Sequence, residues 1–342
     1  MKKSSVIKLI CCLASFALST QALACSRVFH TETQAFMVGR NMDWPAEMQQ
    51  QIRVYPRGMQ RTGLSLQGNS LHWTSKYGSM VVTAFLILSA EGINERGLAV
   101  HLLSLEESDY GTRHANLPGM SVGMWAQYYL DQFASVKEAV MAARQPGYEL
   151  EAGLFPLNGK FRKVNLHLAI EDAEGYSAVI EYIDGTPHIH VTHGNATLTN
   201  SPVYEKQLAN LKNYAGLGGD KPLPGTTLPI DRFVRATYYN QHLPTSKSLD
   251  EEVYSVLAIM RNVAQPFGVA SAERTIMSET LWNVVGDITH RVYYYTSTTS
   301  PNMVKVDLNK FNLSAGSPAM MLDIVARPEL SGDVSDKFVP LG

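Results

Sequence analysis

The 342-residue sequence has 45% hydrophobic and 18% charged residues and a formal net charge of −2, which predicts a soluble protein with a large core. No basic tract is present, which argues against a nucleic-acid partner. No apolar run reaches the roughly 18 residues typical of a membrane-spanning helix.

The start of the chain has the pattern of a secretory signal peptide. Lys2 and Lys3 form a positive start, an apolar stretch follows at residues 10–18 after Lys8, and Ala22-Leu23-Ala24 has the small-x-small pattern of a cleavage site. We therefore predict that residues 1–24 are removed. The mature protein, residues 25–342, is predicted to form a single domain that is periplasmic or secreted and does not associate with a membrane.

The cysteines narrow the possible functions. Two of the three lie in the predicted leader, so Cys25 remains alone after cleavage and no internal disulfide can form. A lipid anchor is one alternative, and the protein would then be a lipid-anchored binding protein. However, Ala22 stands where lipoprotein signals usually carry Leu, and strand-like residues follow Cys25 instead of a polar tether. A reactive thiol is the favoured interpretation.

The elements alternate between strands and helices along the chain. Strands are predicted at residues 26–30, 35–44, 51–56, 79–88 and 97–105, followed by helices at 120–133 and 135–144. Further strands are predicted at 163–171, 177–183 and 188–192, helices at 203–214, 231–240 and 248–263, and strands at 275–285, 291–296 and 303–307. This order predicts two antiparallel sheets with helices outside them.

Cleavage before Cys25 would give this residue both a thiol and an α-amine. An ordinary α-amine has a pKa of about 7.7–8.0, so it can accept the thiol proton near neutral pH, directly or through water. If the first two strands form a hairpin, Arg40 or Asp43 would lie beside Cys25. Arg40 would then lower the pKa of the thiol and Asp43 would hold the amine, although a surface ion pair is the alternative.

These features, with several later motifs, resemble the choloylglycine hydrolase family of N-terminal-nucleophile amidases, which includes bile salt hydrolases and penicillin V acylases. The matching segments are GRNMDW at 39–44, GINERGL at 92–98, LTNSP at 198–202, RFVR at 232–235, ERT at 273–275 and YYY at 293–295. The resemblance covers nearly the whole chain after the predicted leader.

The resemblance implies an α+β fold, the four-layer αββα sandwich, and assigns roles to individual residues. Cys25 would be the nucleophile and, through its amine, the base. Arg40 and Arg274 would polarise the thiol site, Asp43 would bind the amine, and the side-chain amide of Asn200 would donate to the oxyanion. The assembly would be a homo-oligomer, a tetramer or a dimer.

The substrate is the least determined property. Ser104 stands where bile salt hydrolases carry Asn, although its backbone N–H would still serve the oxyanion. Met42 and Trp44 are predicted to line an apolar acyl pocket. The departure at Ser104 and the leader favour the penicillin V acylase-like branch, which is similar to enzymes that also cleave N-acyl homoserine lactones. Conjugated bile acids are the alternative substrates.

No cofactor or metal is expected, and the only partner predicted besides another copy of the chain is a small-molecule amide. The histidines of the HIHVTH segment have a spacing that could bind zinc, but solvent-facing strand histidines are the favoured interpretation. They are His188, His190 and His193.

Overall fold

The computed structural model describes residues 25–31, 34–114, 116–157, 160–268 and 278–342. Within these ranges the strands, in chain order, are β1 Cys25–His30, β2 Met37–Trp44, β3 Ile52–Tyr55, β4 Gln60–Thr62, β5 His72–Thr74, β6 Ser79–Ala84, β7 Leu88–Asn94, β8 Ala99–Ser104, β9 Gly119–Ser121, β10 Glu149–Glu151, β11 Gly153–Leu157, β12 Lys160–Val164, β13 Leu166–Glu171, β14 Tyr176–Ile183, β15 Thr186–His193, β16 Ala196–Leu198, β17 Glu279–Asp287, β18 Val292–Ser297, β19 Met303–Asp307, β20 Met320–Leu322, β21 Gly332–Asp333 and β22 Val339–Pro340. The α-helices are α1 Trp125–Gln132, α2 Val136–Arg144, α3 Tyr204–Leu211, α4 Pro229–Gln241 and α5 Leu249–Asn262, and short 3-10 helices lie at Val122–Met124, Leu308–Lys310 and Ser335–Lys337.

Two large sheets lie face to face between helical layers. The first sheet has the order β16-β1-β2-β17-β18-β19-β21, and the second has the order β15-β14-β13-β8-β7-β6-β3-β20-β22. Helices α4 and α5 cover the outer face of the first sheet, while α1 and α2 cover the second. The predicted α+β fold with four αββα layers is therefore confirmed. No helix in the described ranges is long and apolar enough to cross a membrane.

Alternate residues of the strands in the first sheet lie on opposite faces and belong to two different hydrophobic cores. Val28 and Met37 pack with Val256 and Met260 of α5, whereas Cys25 and its neighbours on the other face belong to the core between the sheets. Both faces are covered, so β1 and β2 are buried along their full lengths.

Gly39 explains how closely α5 approaches this sheet. A Cβ added at Gly39 would lie 2.7 Å from Cγ of Met260 and 2.8 Å from Cγ1 of Val256. Such distances are too short for carbon atoms in contact, so the first residue of the GRNMDW segment is glycine because a helix packs directly on it.

The predicted hairpin at the start of the chain is confirmed. Strands β1 and β2 are antiparallel, with Cys25 opposite Met42 and Arg27 opposite Arg40. Alternate residues of a strand share a face, so Cys25, Arg27, Arg40 and Met42 all lie on the face turned towards the second sheet.

Several predicted elements were wrong in extent, including the helix at 203–214, which ends at Leu211. The predicted strand 79–88 is interrupted by a turn after Ala84, where Phe85 and Leu86 have φ values of 53° and 61°. This turn has no glycine or asparagine, so the apolar run concealed it. The predicted helix 120–133 is helical only from Val122, and the predicted strand 163–171 is divided at Asn165.

Candidate active site

Cys25 begins β1 and is 4% exposed. Burial raises the pKa of its thiol, and the nearby Asp43 carboxylate adds to the rise, while Arg40 and Arg232 oppose it. The net shift is upward. The thiol is therefore neutral at neutral pH, and forming the thiolate requires a base beside it.

Arg40 lies next to this sulfur, as the hairpin predicted. Its Nη2 atom is 4.0 Å from Sγ of Cys25, and the same nitrogen donates to the carbonyl of Leu102 at 2.7 Å. Its Nη1 forms an ion pair with Glu91 at 3.0 Å, and neither side chain is exposed to solvent. The guanidinium is thus held at the sulfur from two directions.

A second arginine, Arg232 of α4, contacts Cys25 from the opposite sheet face. Its Nη1 donates to the carbonyl of Cys25 at 2.6 Å and also to Oγ of Ser26. Its Nη2 donates to Oδ1 of Asn200 at 3.0 Å, and Nη1 is 3.9 Å from Oδ2 of Asp43. One fully buried guanidinium therefore connects the backbone of Cys25 to two other predicted site residues.

Asn200 contacts the main-chain nitrogen of Cys25. Its Oδ1 accepts a hydrogen bond from this nitrogen, and its Nδ2 donates to the carbonyl of Ser104 at 2.8 Å. Because an amide nitrogen carries two hydrogens, one N–H of Asn200 remains for another acceptor. The described contact of the Cys25 nitrogen is thus with Asn200. The carboxylate of Asp43 instead accepts a hydrogen bond from the Thr280 hydroxyl at 2.6 Å, and the backbone oxygen of Asp43 lies 3.9 Å from Sγ of Cys25.

A cleft of about 480 Å³ opens beside the thiol. Its lining is apolar apart from the hydroxyls of Ser89 and Ser104, and it carries no charged side chain. The lining residues are Cys25, Met42, Trp44, Met48, Ala84, Phe85, Leu88, Ser89, Ala90, Leu102, Ser104, Gly123, Phe155, Val164 and Leu166. Such a cleft suits an uncharged, largely apolar group.

All three predicted pocket residues belong to this lining. Sδ of Met42 is 3.9 Å from Sγ of Cys25, and Trp44 packs edge-on against Phe85 at 5.9 Å between ring centroids. Ser104 contributes its side chain, and its carbonyl anchors Asn200. Phe85, from the positive-φ turn between β6 and β7, completes an aromatic wall with Phe155 at 6.2 Å.

The structure brings together Cys25, Arg40, Asp43 and Asn200, while the predicted Arg274 lies outside the described residues. Arg232 is the residue that sequence reasoning missed, although it belonged to a matching segment. A signal was available, because Arg232 shares a helix face with Ala236 and Asn240, four and eight residues on, and all three are buried. An arginine on a buried helix face needs a partner of opposite charge or several acceptors.

The remaining polar candidates do not form a metal site in the described part of the chain, where no group of three His, Cys, Asp or Glu side chains is arranged to hold a metal ion. His190 and His193 instead pack against aromatic rings, those of Tyr204 and Tyr176.

Comparison with known proteins agrees with this geometry. A penicillin V acylase of Pectobacterium atrosepticum is 34% identical, over 97% of this chain and 95% of the relative. A bile salt hydrolase/transferase of Clostridium perfringens is 25% identical, over 83% of this chain and 92% of the relative. The solved penicillin V acylase of Agrobacterium tumefaciens superposes with a TM-score of 0.81 at 34% identity, covering 93% of this chain and 98% of that one.

The family model described as linear amide C–N hydrolases, choloylglycine hydrolase family, matches residues 25–324, and its match begins at the predicted nucleophile. The chain therefore belongs to the choloylglycine hydrolase family and is a hydrolase acting on the C–N bonds of linear amides.

Proposed function

We propose that the protein is an exported cysteine amidase that cleaves the side-chain amide of penicillin V and the amide of N-acyl homoserine lactones. The observation that carries this proposal is the position of the Cys25 sulfur, in the wall of an apolar cleft and 4.0 Å from a buried guanidinium. Conjugated bile acids are the second candidate substrates, supported by the 25% identical relative.

The proposed reaction uses the α-amine of Cys25 twice. The amine takes the thiol proton, and the thiolate attacks the amide carbon, forming a C–S bond while the carbonyl becomes an oxyanion. The resulting ammonium protonates the leaving nitrogen as the C–N bond breaks, which releases the amine product and leaves a thioester. Water then attacks the thioester, its proton passes to the α-amine, and the departing thiolate recovers a proton as the acid is released.

Two features of the site support this sequence of steps. The main-chain nitrogen of Cys25 is held by Oδ1 of Asn200, which fixes its position relative to the sulfur of the same residue. The second N–H of the Asn200 amide is available to an oxyanion, while the first is fixed on the Ser104 carbonyl. The raised pKa of the buried thiol explains why a base is required.

The cleft supports a phenoxyacetyl or alkyl acyl group. Phe85, Trp44 and Phe155 form an aromatic wall on which a phenoxy ring can pack edge-on. None of the described residues that line this cleft is charged. We therefore expect a charged part of the substrate, such as the penicillin carboxylate, to lie outside the acyl pocket.

A substrate panel tests this preference. We expect kcat/KM for penicillin V to exceed that for glycine-conjugated bile acids by at least about tenfold, because the aromatic wall accepts a phenoxy ring, and a group lost from an apolar pocket changes kcat/KM by about 10–200-fold. N-acyl homoserine lactones should also be hydrolysed. The rate at which the free amine is released measures the hydrolysis of all three substrate classes on one scale. Faster cleavage of the bile acids would assign the protein to the second candidate function.

The identity of the chain terminus is a separate prediction. Exported protein should begin with an unmodified Cys25, as seen by mass spectrometry, whereas a diacylglycerol-modified Cys25 would contradict the mechanism. A chain carrying one extra alanine before Cys25 should lose about 10²–10⁴-fold in kcat, because the amine becomes an amide and no longer accepts a proton. One alanine added after Gly342 is the matched control and should leave kcat unchanged.

A further inference from the structure

A chain of five buried ionisable side chains runs between the two sheets and ends at the nucleophile. In order they are Arg40, Glu91, His101, Glu171 and Arg27, and each is fully buried. We call this the charge chain. Consecutive members are 3.0, 3.4, 3.2 and 2.8 Å apart between nitrogen and oxygen atoms. Arg27 ends it on Oγ of Ser177 at 3.1 Å.

The register of the sheets explains why the charge chain forms. Arg27 and Arg40 are directly opposite one another in the first sheet, a placement of like charges that is unfavourable without compensation. In the second sheet Glu91 lies directly opposite His101, and Glu171 lies two residues beyond the partner of His101 on the next strand. Each arginine of one sheet therefore meets one glutamate of the other.

His101 is the central member and contacts both glutamates. Its Nδ1 is 3.4 Å from Oε2 of Glu91, and its Nε2 is 3.2 Å from Oε2 of Glu171. A neutral imidazole has only one N–H, so its other nitrogen would place a lone pair, and no hydrogen, beside a carboxylate oxygen. Only the imidazolium ion interacts favourably with both carboxylates. Burial by itself would lower the pKa of His101. The two carboxylates outweigh burial, so the pKa of His101 is raised.

The protonation state of His101 sets the net charge that the charge chain places beside Cys25. Two arginines and two glutamates sum to zero, so the imidazolium gives the charge chain one net positive charge. On the other side of Cys25, the carboxylate of Asp43 offsets the guanidinium of Arg232, 3.9 Å away. A Cys25 thiolate would therefore be stabilised by the net positive charge of the charge chain as well as by its own α-ammonium.

Two further side chains interact with the charge chain without adding charge to it. The indole N–H of Trp282 donates to Oε1 of Glu91 at 2.7 Å and is uncharged. Tyr293 interacts electrostatically with Glu91, Arg40 and Glu171, and burial raises its pKa well above the ordinary value, so it stays neutral. The α-amine of a processed Cys25 is a further titratable group at the sulfur, and it is the same in the wild type and in a variant at His101.

We propose that His101 is a positioning residue for Cys25. As a buried cation, His101 shares the Glu91 carboxylate with Arg40, so the positive charge of Arg40 is not neutralised and acts on the sulfur. Without this cation, Glu91 would pair with Arg40 alone and neutralise it. The role in catalysis rests on the proposed function, whereas the effect on the sulfur does not.

The test measures the sulfur directly. The rate at which iodoacetamide alkylates Cys25 is followed against pH, by mass spectrometry of the Cys25 peptide, in exported wild-type protein and in the His101→Gln variant. Alkylation follows the thiolate, and losing a nearby positive charge raises the thiol pKa. We expect the alkylation profile of the variant to move to higher pH by about one unit. Turnover of an amide does not enter this measurement, so it stays informative even if no proposed substrate is cleaved.

His167→Gln is the matched control. His167 is equally buried, lies in the same sheet, and contacts one carboxylate, that of Glu181 at 3.1 Å, without belonging to the charge chain. Its variant should alkylate as the wild type does. An unshifted profile in His101→Gln, or an equal shift in both variants, would overturn the proposal.

A measurement on the wild-type protein covers the case in which His101→Gln does not fold. The NMR spectrum of protein labelled with ¹⁵N-histidine reports whether each ring nitrogen carries a proton. An ordinary histidine, with a pKa near 6.5, is neutral at pH 8. We expect one histidine to keep protons on both ring nitrogens at this pH. If every histidine is neutral at pH 8, His101 is not the cation that the proposal requires.

Discussion

The Cys25→Ser variant should fold normally and lose about 10³-fold or more in kcat/KM for penicillin V. A serine hydroxyl is a far weaker acid than a thiol, so an α-amine with a pKa near 8 does not generate the alkoxide. The substitution introduces a smaller atom at a site that is 4% exposed, beside Met42 and the carbonyl of Asp43, and it removes no charge. The fold should therefore tolerate it.

Two measurements separate loss of chemistry from loss of structure. Thermal unfolding should show midpoints within a few degrees for the variant and the wild type. Wild-type protein mixed with penicillin V and quenched with acid should show the mass of the acyl adduct on the Cys25 peptide, and the variant should show none. Turnover within tenfold of the wild type would mean that another group is the nucleophile.

Replacing Arg232 should damage both activity and stability. Its guanidinium contacts the carbonyl of Cys25, Oδ1 of Asn200 and the carboxylate of Asp43, and none of it is exposed. In Arg232→Gln the Asp43 carboxylate loses a buried cation, which costs about 3–5 kcal/mol in the free energy of unfolding. Asn200 and Cys25 also lose the group that joins them, and a misplacement of about 1 Å is enough to lower kcat/KM by about 10²-fold.

Arg235→Gln is the matched control because it lies on the same helix, three residues on. Arg235 binds the carbonyls of Pro224 and Thr226 and the side chain of Asn262, all away from the nucleophile. Urea unfolding should place this variant within about 1 kcal/mol of the wild type, with kcat/KM changed less than about twofold. If both variants behave alike, Arg232 has no special role at the nucleophile.

The sequence was most informative where local patterns repeat over several residues. Ser135 and Ser248 cap α2 and α5, each accepting from the backbone nitrogen three residues on, and both helices were predicted within a few residues. The β1–β2 hairpin was predicted as well, since short alternating strands around a polar turn have few other arrangements. The turn at Phe85 was not, because the positive φ values there are imposed by packing and not by local preference.

Some contacts of the candidate site also follow from local sequence, and others do not. Cys25, Arg40 and Asp43 are close in sequence, and the hairpin register alone brings them together. Asn200 and Arg232 reach Cys25 across 175 and 207 residues, so their contacts depend on how β16 and α4 pack on β1. The resemblance to a family pointed to Asn200, whereas the local signal for Arg232, its helical spacing from Ala236 and Asn240, does not say which residues it contacts.

The sequence by itself determined a cysteine at the start of a strand, the paired strand that carries Arg40, and the alternation of strands and helices that leads to a layered fold. These features depend on interactions between near neighbours in the chain. Only the tertiary structure decided that Arg232 contacts the backbone of Cys25, that an apolar cleft opens beside its sulfur, and that His101 lies between two glutamates. Each of these depends on strands and helices from distant parts of the chain, whose relative positions are fixed when the two sheets pack together and exclude water from the charges between them.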